Sequence, residues 1–454
     1  MTPYTANINY KALIGIALPI IIGSIAQSTI YISDTIFVAR LGETQLAAVG
    51  IGGILFYLLT TIGASFSVGF QILLTHFRGE RGHTFHLTRS VGIYMVLAGG
   101  ILAATLYTFS GPITSLLISN NDLYKYTKSY LENIALAVFF SFLYFYLSGF
   151  YSGLGKTKVL LFSSFMMAAT NILCSYLLVF GNGGFKAYGI SGAAMSSSIA
   201  EFVGFAVLLV SILYNWKGEK PWIDAQVKYK RNYVQMFNKF TLPLVFKQFV
   251  ETIGWLLFFI IMERIGEREL AVSNVIKSIY AFVTLPAIAL ASALHTLVGG
   301  LKAENRIAEI SPVIHRTAVL SLLVTIMAGL LTYIFPNEVI LLMTGNTDIL
   351  PDFKDSMLSI MGVYICFSLY SIYYNGVIGF GALAFSLKLE SIAIVIYVIA
   401  AFIIAFEFEL GLSAIWVAEI IYWVILGLFS IRFIVTHIYK KGNEYKRFVQ
   451  MSDD

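Results

Sequence analysis

Apolar runs long enough to cross a bilayer, about 20 residues each, recur along the chain between shorter polar segments. Such runs are too long for strands, and a helix satisfies its own backbone hydrogen bonds in lipid. The pattern therefore predicts an all-α membrane protein with twelve transmembrane helices, called spans 1 to 12. The predicted spans are 12–39, 46–75, 90–109, 130–150, 159–180, 190–214, 241–262, 271–299, 317–335, 357–380, 387–406 and 411–434.

Composition agrees with this pattern and excludes whole classes of protein. Hydrophobic residues make up 58% of the 454 residues, and charged residues make up only 12%. That charged share is about half the value typical of soluble domains. The chain lacks the charge to cover a soluble surface, which excludes an ordinary cytosolic enzyme, a nucleic-acid binder and a disordered scaffold. An HExxH motif, a GxSxG motif and paired metal ligands are also missing, so we expect neither an enzyme nor a cofactor.

Lysine and arginine residues are distributed unevenly between the two sides of the predicted membrane. Of the 30 Lys and Arg residues, 21 lie on the side that holds both termini and 7 lie on the other side. The remaining two, Lys247 and Lys277, lie well inside spans, away from either end. Because cytoplasmic loops are enriched in Lys and Arg, both termini are expected in the cytoplasm, with the chain in the inner (plasma) membrane.

The longest polar segment separates spans 6 and 7 and predicts a division into two lobes. It has a basic composition and reads as a cytoplasmic linker. The predicted organisation is an N-lobe at 1–214, a linker at 215–240, a C-lobe at 241–438 and a cytoplasmic tail at 439–454.

The two halves also resemble each other in sequence at a nearly constant offset. Leu18-Pro19 corresponds to Leu242-Pro243, and RLGETQLAAV at 40–49 corresponds to RIGERELAVS at 264–273. Six spans per repeat is an even number, so both halves enter the membrane in the same orientation. We therefore predict two six-helix lobes related by a pseudo-two-fold axis along the membrane normal, an arrangement typical of transporters.

Several segments resemble the multidrug and toxic compound extrusion (MATE) transporters of the MOP flippase superfamily. Span 1 has a proline followed fifteen residues later by Asp34, as in that family. YSGLGKTK at 151–158 is similar to its Arg-Gly-x-Gly-Asp-Thr segment without the Arg and Asp, and LPLVFKQFVE at 242–251 is similar to the start of its seventh span. TNILCSYLLVFGNGGFKAYGISGAAMSS at 170–197 is similar to its span 5 to span 6 signature. The resemblance implies export of organic cations and other amphiphiles in exchange for protons or sodium ions.

Asp34 is the first candidate for ion coupling. Ionisable groups at membrane depth are costly and therefore indicate function. Burial disfavours the charged form of a carboxyl, which makes Asp34 a candidate proton carrier, and its oxygens make it equally a candidate sodium ligand. The resemblance carries Asp34 over as the coupling residue of the N-lobe. The alternative is a structural carboxyl bonded by Asn171 or nearby hydroxyls. The predicted hinges are Pro19 and Pro243.

The choice between a proton and sodium depends on the residues around Asp34. The resemblance places Asn171 at the coupling site and shows Ser175 where many members have an aspartate. With Ser148 and Ser197 as further neutral oxygens, a sodium site at Asp34 and Asn171 stays open. A proton needs only Asp34, so the proton is the favoured coupling ion.

The C-lobe has its own candidate in Glu251, at a position where part of the family has a coupling glutamate. The family's usual partner aspartate aligns with Ser368, so this site looks incomplete. Lys247 lies four residues before Glu251 on the same helical face, which predicts an ion pair or a pair that opens for substrate or a proton.

Further polar residues within spans are candidates for the substrate cleft. Lys277 and Glu419 are interpreted either as a buried pair or as independent cleft residues. The substrate-cleft candidates are Glu201, Lys247, Lys277 and Asn375.

The sequence thus predicts a secondary antiporter that exports amphiphilic small molecules, expected to be cationic, by alternating access of two lobes. The expected partners are a small-molecule substrate and the lipid bilayer, without nucleic acid, and the protein is expected to act as a monomer. The alternatives are a dedicated exporter of an endogenous metabolite and a lipid-linked precursor flippase. A flippase of this superfamily would have more Arg and Lys in its spans.

Overall fold

The structure is a computed structural model. It describes residues 14–15, 17–23, 30, 33–34, 37–38, 40–77, 81–118, 120–215, 229–344 and 348–439. These residues form helices joined by short turns, and no strand occurs among them. The predicted all-α class is therefore confirmed.

Eleven helices of the described part are long and apolar enough to cross a membrane, and they correspond to predicted spans 2 to 12. The described residues of span 1, between positions 14 and 38, are also helical. The helices of spans 2 to 10 are Glu43–His76, Arg81–Leu117, Asn121–Gly153, Lys158–Phe180, Ile190–Asn215, Arg231–Ile265, Glu267–Ala303, Ile310–Ile334 and Leu350–Gly379. Span 11 is Leu383–Phe402 with a π-helical end at Ile403–Glu407, and span 12 comprises Leu412–Ile415, Val417–Phe433 and a π-helical end at Ile434–Tyr439.

Most helices are longer than the apolar runs that predicted them. Span 7 begins at Arg231, so the last ten positions of the predicted linker are helical. Phe237 in this extension is fully buried, and its ring packs against Phe66 of span 2 and Tyr94 of span 3. A helix can leave the hydrocarbon while its backbone stays bonded, so apolar length underestimates helical length.

Local sequence signals explain several helix ends. The Asn120 side chain accepts hydrogen bonds from the backbone N–H groups of Asp122 and Leu123, which caps the start of span 4. Span 5 ends at Gly181, whose φ of 74° lies in the left-handed region that glycine adopts without a Cβ penalty.

The chain divides into two compact units, Leu18–Val245 and Phe246–Asp454 with Met1–Ala17. In the first unit, span 4 packs against spans 2, 3 and 6, and span 5 packs against span 6. In the second unit, span 10 packs against spans 8, 9 and 12, and span 11 packs against span 12. The same pairing occurs in both units when six is added to each span number, as the sequence repeat predicts.

Gly149 of span 4 lies where the central helix of the first unit contacts the backbone of span 2. A Cβ added at Gly149 would lie 2.6 Å from the carbonyl oxygen of Ser67. This atom belongs to the backbone and is not free to rotate away. Glycine at this position therefore allows the close approach of two helices.

We expect Gly149→Ala to destabilise the protein by about 1–3 kcal/mol, the usual cost of overpacking. Thermal unfolding in detergent would measure this as a lower Tm. Gly100→Ala on span 3 is the matched control, because no heavy atom lies within 4 Å of its added Cβ. Equal Tm values for the two variants would contradict the close-contact explanation.

Candidate functional site

Asp34 of span 1 is held by side chains from spans 5 and 6. Its Oδ1 accepts a hydrogen bond from the Ser175 hydroxyl at 3.1 Å. Its Oδ2 accepts from the Ser197 hydroxyl at 2.9 Å and from the Asn171 Nδ2 at 3.4 Å. Three neutral donors thus converge on one carboxylate, and no Lys or Arg of the described residues forms an ion pair with it.

The side chains around Asp34 are themselves buried and fixed. Asn171 and Ser175 have no exposed surface, whereas Asp34 is partly exposed. Asn171 Oδ1 accepts a hydrogen bond from the Ser33 hydroxyl at 3.3 Å, which orients the amide so that its nitrogen faces Asp34. The site is therefore preorganised for a carboxylate, and that carboxylate keeps part of its surface exposed.

Both serine hydroxyls have a second acceptor within reach. The Ser197 hydroxyl lies 3.2 Å from the Ala193 carbonyl oxygen, and the Ser175 hydroxyl lies 2.6 Å from the Ser196 hydroxyl. Since a hydroxyl has one proton and rotates freely, each serine can donate either to Asp34 or to its alternative acceptor. The same side chains can therefore bond a charged or a neutral Asp34 without movement of the helices.

The structure brings together most of the residues predicted around Asp34. Asn171, Ser175 and Ser197 all bond it, whereas no hydrogen bond between Asp34 and Ser148 is found in the described part of the chain. Glu201 lies one helical turn beyond Ser197, and its Oε2 is buried without a hydrogen-bond partner among the described atoms. Glu201 therefore forms no hydrogen bond with Asp34 among the described residues, and its role in the substrate cleft stays a prediction.

A second polar cluster lies in the unit that begins at Phe246. The Lys247 Nζ and the Glu251 Oε2 form an ion pair at 2.9 Å, with the two side chains 18% and 28% exposed. Glu390 of span 11 is fully buried and accepts a hydrogen bond from the Tyr422 hydroxyl of span 12. Lys247 and Glu251 are charged neighbours of Glu390, and Tyr374 also lies beside it. The predicted Lys247–Glu251 pair is thus confirmed, with an additional carboxyl next to it.

Sequence reasoning did not single out Glu390, although the residue lies three positions inside predicted span 11. The helix begins at Leu383, which places Glu390 about two turns inside it. The sequence signal that identifies Glu390 is the general rule that an acidic residue within an apolar helix needs a partner.

Lys277 and Glu419 contact different side chains. Lys277 and Glu419 do not form an ion pair. The Lys277 Nζ lies over the Trp255 and Phe259 rings, 5.3 Å and 4.6 Å from their centroids, and Glu419 accepts from the Trp423 indole N–H at 2.9 Å. The structure therefore favours the interpretation in which Lys277 and Glu419 are independent.

Asn375 is bonded within its own unit. Its Oδ1 lies 3.0 Å from His295 Nε2, and its Nδ2 donates to the Ser371 carbonyl oxygen at 2.9 Å. Both ends of the amide therefore have protein partners.

The predicted hinges both lie within helix. Pro19 is buried in the described part of span 1, and Pro243 lies inside the span 7 helix. Proline removes one backbone hydrogen bond and clashes with the preceding turn, so each position interrupts the regular bonding of its span. The hinge role stays a prediction.

The profile of the MatE family matches residues 19–177 and 243–404, which is more than half of the chain. The chain belongs to the MatE family. The two matched segments begin at Pro19 and Pro243, the same positions at which the internal repeat was found.

Individual relatives of this chain share only about a quarter of its residues at matched positions. A probable multidrug resistance protein NorM of Thermotoga maritima is 22% identical over 90% of this chain and 89% of its own length. A probable multidrug resistance protein NorM of Agrobacterium fabrum is 24% identical over 65% of this chain and 64% of its own length. The second alignment thus spans less than two thirds of that relative.

Solved structures of MatE-type proteins share the fold. A crystal structure of MATE in complex with MaL6 has a TM-score of 0.85 at 17% identity and covers 97% of both chains. An outward-facing multidrug resistance MATE family transporter of the MOP superfamily has a TM-score of 0.85 at 16% identity, with 96% and 95% covered. The predicted fold class and the predicted family are confirmed, and this MatE chain is a multi-pass membrane transporter and not an enzyme.

Proposed function

We propose that this MatE protein is a secondary antiporter that exports amphiphilic, cationic small molecules in exchange for protons. The NorM relatives are named as multidrug resistance proteins, which supports multidrug efflux as the class of activity. The observation that carries the proposal is the Asp34 carboxylate, bonded by three neutral donors and without a fixed counter-ion in the described part of the chain.

The proton is the proposed coupling ion because the Asp34 site can accept one without rebuilding. When Asp34 is charged, Ser175 and Ser197 donate to it. When Asp34 is neutral, both hydroxyls turn to their second acceptors. Sodium would need several oxygens directed at the ion, whereas Asn171 presents its nitrogen to Asp34 and its Oδ1 is bonded to Ser33.

In the proposed cycle, a proton from outside neutralises Asp34 and its release to the cytoplasm restores the charge. The Asp34 site is open to the outside in one state and to the cytoplasm in the other. Span 1 bends at Pro19 between these two states. We further propose that the protein acts as a monomer in the plasma membrane with both termini in the cytoplasm.

A gradient experiment tests this proposal directly. Purified protein in proteoliposomes with an acidic interior is expected to accumulate ethidium, because outward proton flow drives the dye inward. An outward sodium gradient at equal pH on both sides is expected to give no accumulation. Nigericin, which dissipates the pH gradient, is the control for the first arm.

Two results would contradict the proposal. Accumulation driven by sodium alone would replace the proton with sodium as the coupling ion. If thermal unfolding shows that the protein is folded, but neither gradient drives ethidium accumulation, the cationic substrate class is contradicted. That result would favour a dedicated metabolite exporter.

A further inference from the structure

An apolar groove with a volume of about 490 Å³ lies on the first unit between spans 5 and 6. Its lining consists of Lys158, Val159 and Phe162 of span 5 and Val203, Ala206, Val207, Val210 and Ser211 of span 6. The polar end of the groove, at Lys158, is remote from the Asp34 site. Along span 5 it lies 13 residues, or about 20 Å, from Asn171.

Close packing of spans 5 and 6 beside the groove explains its shape. The Ser163 hydroxyl donates to the Gly204 carbonyl oxygen at 2.8 Å, and Gly204 has no side chain to hold the two helices apart. The groove side of span 6 presents short side chains, namely Val203, Ala206 and Val207. These side chains leave the space between the helices unfilled.

Positive charge is present at one end of the groove only. Lys158 is the one charged residue of the lining, it is exposed, and it forms no ion pair with any described residue. Lys156, in the turn before span 5, adds a second exposed positive charge. Segments 154–180 and 202–215 contain no Asp or Glu. This end of the groove therefore attracts an anion and repels a cationic substrate.

The order of charged and apolar surface along the groove matches that of a membrane leaflet. Lys158 begins span 5 and Ser211 lies near the end of span 6, whereas Val203 lies about 12 Å deeper along span 6. Tyr214, one turn beyond Val210 on the same face, is exposed, as is typical of aromatic residues at a membrane interface. An anionic headgroup at Lys158 would thus be continuous with an acyl chain in the groove.

From these observations we propose that the groove binds one anionic phospholipid of the leaflet next to the basic loops. The lipid phosphate pairs with Lys158, and one acyl chain occupies the apolar lining between spans 5 and 6. The bound lipid stabilises the folded protein, because it binds the folded groove and not the unfolded chain. The site is separate from Asp34 and does not depend on the proposed export function.

Lipid binding by purified full-length protein in detergent tests this proposal without any need for transport. Tm and the number of lipids retained in native mass spectrometry are measured with dioleoylphosphatidylglycerol and with dioleoylphosphatidylcholine. The two lipids have the same acyl chains and differ in net charge. Glycerol 3-phosphate presents the phosphate without the chains.

Two variants remove the two parts of the site separately. Lys158→Gln removes the charge, and Ala206→Phe fills the groove. Lys239→Gln and Ala169→Phe are the matched controls, because both residues are exposed and neither lines the groove.

The unmodified protein should retain one phosphatidylglycerol, with a rise in Tm of several degrees. Phosphatidylcholine should give a smaller rise and glycerol 3-phosphate none. Lys158→Gln should weaken phosphatidylglycerol binding about fivefold, the factor expected for one lysine near a lipid headgroup. Ala206→Phe should abolish retention of the lipid, and both controls should behave like the unmodified protein.

Other outcomes overturn the proposal. Equal effects of the two lipids on the unmodified protein would exclude selection by charge, and an equal response to glycerol 3-phosphate would exclude a lipid. Unchanged phosphatidylglycerol binding by Lys158→Gln or by Ala206→Phe would place the lipid elsewhere. A dimeric mass without lipid would assign the groove to a second copy of the chain. If the Ala206→Phe protein does not fold, Lys158→Gln decides alone, because replacement of an exposed lysine leaves the fold intact.

Discussion

Asp34→Asn should abolish proton-driven ethidium accumulation in proteoliposomes while the protein stays folded. The amide keeps the size and polarity of the carboxyl, but it neither gains nor loses a proton near neutral pH. The hydroxyls of Ser175 and Ser197 have alternative acceptors, so the loss of the carboxylate leaves no hydroxyl without a partner. Accumulation measured under an imposed pH gradient should therefore fall to the level of empty liposomes, with a Tm close to that of the unmodified protein.

Asp122→Asn is the matched control for this substitution. Asp122 lies in the first turn of span 4 with 77% of its side chain exposed, so its charge is screened by water. This variant should accumulate ethidium at the unmodified rate. Full accumulation by the Asp34→Asn protein would exclude Asp34 as the coupling residue.

Removal of Lys247 should destabilise the protein more than removal of its partner. Lys247→Met leaves Glu251 and Glu390 without a counter-charge, whereas Glu251→Gln leaves Lys247 with Glu390 as a remaining carboxyl. Breaking a fully buried pair costs about 3–5 kcal/mol. Because this pair is partly exposed, we expect a loss of stability of about 2 kcal/mol for Lys247→Met. The double variant Lys247→Met with Glu251→Gln should be more stable than Lys247→Met alone.

The exposed pair Lys128–Glu132 provides the control for this double-mutant cycle. It has the same four-residue spacing on a helix, with a distance of 3.7 Å and side chains 42% and 36% exposed. Lys128→Met should change stability by less than about 0.5 kcal/mol, as for other surface pairs. Tm values of the single and double variants measure both cycles. If Lys247→Met and Glu251→Gln lower the free energy of unfolding equally, a role for Glu390 is contradicted.

The sequence predicted spans and family well because the bilayer imposes one strong rule on apolar length. Twelve runs of suitable length, the proline at the start of each repeat and the basic linker were sufficient. The rule failed at helix ends, as at Arg231, since a helix that leaves the membrane no longer needs apolar residues. Packing against Phe66 and Tyr94 then decides where span 7 begins.

The Asp34 site was predicted only in part. Its carboxyl and Asn171 follow from membrane depth and from the family resemblance. Ser33 and Ser196 do not, because serine is common in apolar helices and usually bonds its own backbone. Whether a serine faces a carboxyl depends on helix rotation and on the distance between spans, which one sequence does not determine. Glu390 was missed although it lies inside predicted span 11, because the contacts of its carboxyl with spans 7 and 12 depend on the same helix rotation and spacing.

The shared pairing of spans within each unit has a consequence for the origin of the chain. Each unit surrounds its own central helix, span 4 in one and span 10 in the other, with helices from the same repeat. A single repeat would therefore specify the central helix and its main packing partners, whereas the start of span 7 completes the core of the first unit. Two such repeats in one chain need a connecting segment, here between spans 6 and 7. The two units differ in the acidic residues that lie within their spans.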